Sequence, residues 1–108
     1  MTYARFYLKH GVYTGFAIRG HSGFAGAGED IVCAAVSAMT SLAVTFLEET
    51  GQEFEFFTDK KSGRVSLALS SPNNITQACC NGLYREIKAL SGEYPENVKA
   101  VKRKVQAE

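Results

Sequence analysis

A histidine and a cysteine in the first third of the chain have the side chains that a thiol nucleophile requires. His21 opens a glycine-rich segment, and Cys33 follows that segment. In such a pair the imidazole takes the thiol proton and later donates a proton to the leaving group. Because the segment leaves a predicted strand and enters a predicted helix, its two ends should lie close together. His21 could therefore reach Cys33, and the pair is a candidate catalytic dyad.

The helix predicted around Cys33 would add to the reactivity of its thiol. Apolar residues recur at steps of three or four over residues 31–49, which is typical of an amphipathic helix. Asp30 stands at the N-cap position, so Cys33 falls in the first turn, where unpaired amides and the helix dipole favour a thiolate. Those amides could also hold an oxyanion. If Asp30 caps the helix, its negative charge disfavours the Cys33 thiolate and so opposes the effect of the helix dipole. If Asp30 faces His21 instead, it orients the imidazole. The sequence leaves both roles open.

This helix carries two apolar rows and one polar row. The apolar rows, which together predict a wide buried face, are Ile31, Ala35, Ala38, Leu42 and Phe46, and Val32, Val36, Met39, Ala43 and Leu47. Cys33 avoids both rows and aligns with Ser37, Thr40 and Ser41 on the small and polar side of the helix.

The same residues also have plainer interpretations. An isolated cysteine in an amphipathic helix is more often a buried small residue, and a histidine beside a glycine more often belongs to a turn. A glycine-rich loop before a helix can also bind phosphate. Residues 20–28, however, contain neither G-x-x-x-x-G-K-[ST] nor a G-x-G-x-x-G in the dinucleotide-binding arrangement. From spacing alone, a buried structural role for Cys33 is more common than catalysis.

The other two cysteines do not indicate a metal site. Cys79 and Cys80 are adjacent on a predicted helix, where their side chains diverge by about 100°, and the chain has no C-x-x-C motif. We therefore expect no metal and no cofactor, with Cys79 in the core and Cys80 half-buried beside Tyr84. Three cysteines are an odd number, which argues against a secreted disulfide framework and for reduced thiols in the cytoplasm.

Length and charge limit the remaining classes of protein. The chain has 108 residues, of which 45% are hydrophobic, and without linkers or repeats residues 1–108 are predicted to form one domain. Its 12 Lys and Arg nearly balance 11 Asp and Glu, which excludes a globally basic nucleic-acid binder. No apolar run approaches the about 20 residues that span a bilayer, and the polar N-terminal start is unlike a signal peptide. We expect no membrane contact.

The basic residues near the C-terminus are not expected to bind nucleic acid directly. They are Lys99, Lys102, Arg103 and Lys104. No aromatic residue stands between them in the sequence to act as a stacking platform.

Alternation and helical spacing predict an α+β domain. The pattern indicates strands at 3–8, 12–19, 52–58 and 64–70, and helices at 31–49 and from about 74 to Gly92, whereas residues 98–105 suit either a helix or a strand. We expect a mainly antiparallel sheet with both helices packed on one face. Asn74, with Gln77 three residues later, resembles a capping box at the start of the second helix.

Residues 20–37, with the sequence GHSGFAGAGEDIVCAAVS, resemble the signature of the bacterial ribosomal-processing cysteine proteases, the Prp family. That signature opens with G-H-[AS], continues with an aromatic residue three positions after the histidine and a glycine, and ends with D-x-V-C-A-A-V-S. The chain is similar to the family over its whole length in size and element order. This motif is far more specific than the spacing of one cysteine and one histidine, and it favours the catalytic interpretation.

The resemblance implies a cysteine endopeptidase whose partner is a ribosomal-protein precursor. The family removes the N-terminal extension of the large-subunit protein L-twenty-seven and cuts after an aromatic pair. By the motif, His21 is the general base and Cys33 the nucleophile, with Asp30 and Ser37 in support. A glycine-rich lid loop corresponds to residues 20–28. Its substrate-loop residues are Gly20, Ser22, Gly23, Phe24, Gly26 and Gly28.

Two further features follow from the resemblance. The family forms homodimers, and its last segment is a strand, so that the order becomes β-β-α-β-β-α-β. From the residues alone, two other functions stay open: a non-catalytic ribosome-associated binding module, and a small-molecule thiol hydrolase with the same dyad.

Overall fold

The computed structural model describes residues 1–20 and 27–105, with residues 27–30 described by their backbone only. Within these residues the chain forms five strands and two helices. They are β1 (Thr2–Lys9), β2 (Val12–Arg19), α1 (Ala27–Glu49), β3 (Phe54–Asp59), β4 (Arg64–Leu69), α2 (Asn74–Glu93) and β5 (Val98–Lys104). The α+β class and the element order expected from the sequence are confirmed, and the last segment is a strand.

The strands form one sheet in the order β3-β4-β2-β1-β5. Three neighbouring pairs are antiparallel, whereas β1 and β5 are parallel, so the sheet is mainly antiparallel as expected. The turn between β1 and β2 uses two residues with positive φ, His10 at 53° and Gly11 at 79°. Since only glycine adopts this conformation freely, Gly11 suits the tight link that the sequence indicates.

Both helices pack on one face of the sheet, as predicted. Alternate residues of β1 point towards them, and Ala4 and Phe6 are fully buried. The Phe6 ring meets the ring of Tyr84 on α2 edge-to-face, with centroids 5.4 Å apart. The core on this face also contains Phe16, Ile18, Leu67, Val98 and Ala100 from the strands.

Only one of the two apolar rows of α1 is buried. Val32, Val36, Ala43 and Leu47 belong to the core, whereas Ile31, Leu42 and Phe46 of the other row are exposed. The sequence therefore predicts a wider buried face than the one that α1 has. A helix lying on a sheet presents only one side to it, so the second row stays outside the core.

The helix α2 is capped and docked by polar side chains. Asn73 is the N-cap: its side chain accepts hydrogen bonds from the amides of Ile75 and Thr76, and Thr76 completes the capping box. The box expected from Asn74 and Gln77 is therefore wrong by one residue. Gln77 instead pairs with the backbone of Tyr13 on β2, accepting from its amide at 2.7 Å and donating to its carbonyl at 2.8 Å.

The structure also reverses the expected burial of the two adjacent cysteines. Cys80 is completely buried, whereas Cys79 is half-buried with its Sγ 3.6 Å from the carbonyl oxygen of Ala43 on α1. The predictions of a core Cys79 and a half-buried Cys80 were wrong, because the residues that α2 buries are Thr76, Cys80, Leu83 and Ile87.

The segment Ile31–Glu49 of α1 is long and apolar enough, by length and composition alone, to cross a membrane. This corrects the expectation that no apolar run approaches that length. The row formed by Val32, Val36, Ala43 and Leu47 packs in the core beneath the sheet. Of this stretch, 28% is buried among the described residues, and a single helix of this kind is weak evidence for a membrane span because core helices of compact domains meet the same test.

Gly15 marks the closest approach between β2 and β4, and we expect Gly15→Ala to destabilise the fold. A Cβ atom there would collide with the backbone carbonyl oxygen of Leu67, which cannot move without disturbing the sheet. Overpacking of this kind costs about 1–3 kcal/mol. Gly92→Ala is the matched control, because a Cβ atom at Gly92 meets nothing within 4 Å and alanine favours the helix. Urea unfolding should show a loss for Gly15→Ala only, and equal stability of the two variants would contradict the steric argument.

Candidate active site

The polar row of α1 faces an open cleft between this helix and the sheet. The cleft has a volume of about 400 Å³. Its helix wall carries Cys33, Ser37, Thr40 and Ser41, the set that the sequence separates from the apolar rows. The opposite wall comes from the strands and is mainly apolar, with Ile18, Phe56, Thr58 and Val65. The cleft therefore combines a thiol and hydroxyl groups with a surface suited to apolar side chains.

Cys33 is half-buried at this cleft and is in contact with a residue that the sequence analysis does not single out. Its Sγ lies 3.6 Å from the hydroxyl oxygen of Thr2, and either atom can be the donor. Thr2 is itself 1% exposed, at the start of β1. The alternation of Thr2, Ala4 and Phe6 on the buried face of β1 would have placed Thr2 inside. Only the packing of α1 across the sheet brings it to Cys33.

The start of α1 changes the setting expected for Cys33. The helix begins at Ala27, so Asp30 lies inside it and cannot be its N-cap. Cys33 then lies in the second turn, because an α-helix has 3.6 residues per turn. The unpaired amides of the helix start belong to the turn that begins at Ala27. The expected cap at Asp30 and the expected first-turn position of Cys33 are both corrected.

The remaining predicted site residues divide between described and undescribed positions. Ser37 follows Cys33 by one turn and lines the same cleft, while the Thr40 hydroxyl donates to the Val36 carbonyl at 2.7 Å. Gly28 and Asp30 are placed in α1 by their backbone alone. The other predicted residues lie outside the described residues: His21, Ser22, Gly23, Phe24 and Gly26.

The structure describes the residues that flank the segment containing His21. Gly20, the residue directly before His21, lines the cleft, and its amide donates to the carbonyl of Gly63 at 3.3 Å. At the other end the chain enters α1 at Ala27, which leads within two turns to Cys33. That the two ends of this segment lie close together stays a prediction.

The thiols outside the cleft are poor nucleophiles. Burial, together with the smaller effect of the neighbouring charge of Cys79, raises the pKa of Cys80 to about 12. Burial also raises the pKa of Cys79 above its usual range. Because the thiolate is the nucleophilic form, both groups remain protonated and unreactive near neutral pH.

A metal centre has no support in the part of the chain that the structure describes. Among those residues, no group of three or more His, Cys, Asp or Glu side chains comes together in a way that could hold a metal ion. The chemistry of the cleft, as far as it is described, is that of a single thiol among hydroxyl and apolar groups.

Comparison with known proteins finds relatives along nearly the whole chain. A family model described as cysteine protease Prp matches residues 1–99. The ribosomal processing cysteine protease Prp of Mycoplasma genitalium is 30% identical over 80 residues, which cover 74% of this chain and 79% of the relative.

Solved structures share the fold. A Streptococcus mutans protein superimposes with a TM-score of 0.85 at 28% identity, over 97% of this chain and 96% of that chain. The essential ribosomal processing protease Prp of Staphylococcus aureus, solved in complex with a substrate peptide, gives a TM-score of 0.88 at 21% identity, over 95% of this chain and 100% of that chain. With the family model matching residues 1–99, the chain belongs to the Prp family of cysteine proteases.

Proposed function

We propose that this cysteine protease removes the N-terminal extension of the bacterial large-subunit ribosomal protein L-twenty-seven, using Cys33 and His21 as its catalytic dyad. The observation that carries the proposal is the Cys33 thiol at an open, partly apolar cleft, with Gly20 at the same cleft and His21 next in the chain. The S. aureus relative supports peptide cleavage, since it was also solved with a covalently linked product peptide.

In the proposed reaction His21 takes the proton of the Cys33 thiol, and the sulfur attacks the carbonyl carbon of the scissile peptide bond. The carbon–nitrogen bond breaks as His21 returns the proton to the leaving amine, which leaves an acyl thioester on Cys33. A water molecule then gives a proton to His21 and attacks the thioester, and the carbon–sulfur bond breaks as His21 returns that proton to the sulfur. This releases the new C-terminal carboxyl group, which ionises in water, and restores the thiol and the neutral imidazole. Asp30 and Ser37 support this pair, and residues 20–28 act as a lid over the bound peptide.

The shape of the cleft favours an extended peptide with large apolar side chains. Phe56 and Thr58 line the cleft from β3, which is an edge strand of the sheet. An edge strand offers unpaired backbone groups to which an extended peptide can add as a further strand. A peptide held there would run beside Cys33, with the apolar wall available for an aromatic side chain.

A hydroxyl group beside the nucleophile gives Thr2 a positioning role. A hydrogen bond from Thr2 to the Cys33 sulfur stabilises the thiolate and holds the side chain at the cleft. The three cysteines are free thiols, which supports a reducing compartment, and we place the protein in the cytoplasm.

The cleavage experiment uses a peptide with the N-terminal sequence of the host's own L-twenty-seven precursor, read by mass spectrometry. Cys33→Ala should abolish cleavage, and His21→Ala should lower kcat/KM by roughly 10²–10⁴-fold, because proton transfer contributes about that much. Cys79→Ala and His10→Asn are the matched controls, since both residues lie outside the cleft. Cleavage by Cys33→Ala at the wild-type rate would refute the proposal, and cleavage of small thioesters but of no peptide would favour a small-molecule hydrolase.

Thiol alkylation separates a working Cys33 from a packed one. At neutral pH iodoacetamide should label Cys33 first, because the raised pKa values of Cys79 and Cys80 keep those thiols protonated. Thr2→Val should slow the labelling of Cys33 about two- to tenfold, the worth of one net hydrogen bond, and Thr2→Ser should restore it. Peptide mapping that finds label on Cys79 or Cys80 alone would support a non-catalytic binding module.

The proposed homodimer forms through the exposed apolar side of the helices. Leu42 and Phe46 on α1 are 71% and 44% exposed, and Ile75 on α2 is 42% exposed. Beside them a groove of about 340 Å³ between α1 and α2 has an almost wholly apolar lining that includes Met39 and Leu83. Clustered apolar exposure of this kind marks an interaction surface, and it lies apart from the Cys33 cleft.

Light scattering after size exclusion tests the dimer. The wild type should elute as a dimer, and Leu42→Asp should shift it towards monomer, because a charge would be buried at the contact. Ala89→Asp introduces the same charge at an exposed position of α2 outside the groove and should leave the dimer intact. A wild-type monomer at all accessible concentrations would contradict the proposal.

A further inference from the structure

The face of the sheet opposite the helices is not covered by any helix that the structure describes. We define this outer face by six residues of β1, β2 and β5: Tyr3, Arg5, Tyr7, Arg19, Lys99 and Arg103. They alternate along their strands with the buried residues Ala4, Phe6, Ile18 and Ala100. Tyr3, Arg5 and Tyr7 are half-buried, whereas Arg19, Lys99 and Arg103 are exposed.

Strand pairing interleaves aromatic and basic side chains on this face. In the parallel pair β1–β5, Tyr3 stands opposite Lys99 and Tyr7 opposite Arg103. In the antiparallel pair β1–β2, Tyr3 stands opposite Arg19. Each tyrosine therefore has a cationic neighbour across the ladder. The sequence showed no aromatic residue between the basic residues of the C-terminal segment, and the neighbouring strand now provides them.

Arg5 is a basic residue of this face that contacts one of its aromatic rings. Its guanidinium carbon lies 5.2 Å from the centroid of the Tyr3 ring, in cation–π geometry. Its Nε is buried and has no hydrogen-bond partner among the described residues. Arg19 and Arg64 stand opposite each other on β2 and β4 and extend the positive charge. Among the described residues, the acidic side chains on this side of the sheet are Glu55 and Asp59 of the far edge strand β3, where Asp59 stands opposite Arg64.

We propose that the outer face binds single-stranded RNA, with Tyr3 and Tyr7 stacking on bases and Arg5, Lys99 and Arg103 contacting phosphates. Aromatic rings on an uncovered sheet face are stacking platforms, and Tyr3 and Tyr7 are half-buried on this one. The surrounding cations neutralise the RNA backbone. A second copy of the chain is disfavoured here, because two such faces would bring like charges together. The proposal goes beyond peptide cleavage and does not depend on it, since the Cys33 cleft lies on the other side of the sheet.

Fluorescence anisotropy with a fluorescein-labelled mixed-sequence RNA of about 15 nucleotides tests the proposal in the full chain. The double variant Lys99→Glu/Arg103→Glu should weaken binding by at least about tenfold and lower the slope of log affinity against log salt by about two. Arg85→Glu/Lys88→Glu is the matched control: it changes the net charge equally, at exposed positions of α2 on the opposite side of the sheet. The control should retain most of the affinity.

A second pair of variants tests stacking separately from charge. Tyr7→Leu should weaken RNA binding by about tenfold, whereas Tyr7→Phe, which keeps the ring, should bind as the wild type does. Thermal melting checks that each variant is folded. Three results would overturn the proposal: no binding by the wild type at low salt, equal losses in both charge-reversed double variants, or displacement of the RNA by polyglutamate as effectively as by unlabelled RNA. The last result would mark a surface for acidic peptides.

Discussion

The packing of one row of α1 against one face of the sheet is the constraint on which the rest of the molecule depends. Val32, Val36 and Leu47 can leave water only by facing the strands, and their burial sets the rotation of the helix about its own axis. Once that rotation is set, the polar row that contains Cys33 must face the cleft. The same rotation leaves Leu42 in solvent.

Because both helices pack on one face of the sheet, its two faces differ in the side chains that they present. On the helix side, the gap between α1 and the strands forms the cleft where the thiol of Cys33 meets the hydroxyl of Thr2. On the other side, no described helix competes for the strand surface, so charged and aromatic side chains can stay accessible. Peptide cleavage and the proposed contact with RNA would then use opposite faces of one thin domain. A protease acting on a ribosomal protein would gain from holding RNA without blocking its cleft.

Local patterns predict much of this architecture, and their failures have a common cause. The alternation of β4 and the helical spacing of 31–49 are local properties, and both elements form, although α1 begins four residues earlier, at Ala27. Glutamine at 77 suits a cap on local grounds, yet its amide is used by the backbone of Tyr13, 64 positions away. The burial of Cys79 and Cys80 was reversed because one residue of helical phase rotates the buried stripe by about 100°. Which residues of a helix are buried, and which partners they have, depends on the elements that pack against that helix across the core.

The sequence by itself determined the order of the first six elements, the polar side of α1 and, through residues 20–37, the likeness to a family of cysteine proteases. These features depend on residue type and short-range spacing, which a single chain displays directly. The tertiary structure alone decided which apolar row of α1 is buried, that Thr2 lies beside Cys33, and that Tyr3 and Tyr7 stand among the basic residues of β5. Each of these depends on a contact between segments far apart in the chain, and sheet pairing and core packing, rather than local periodicity, select such contacts.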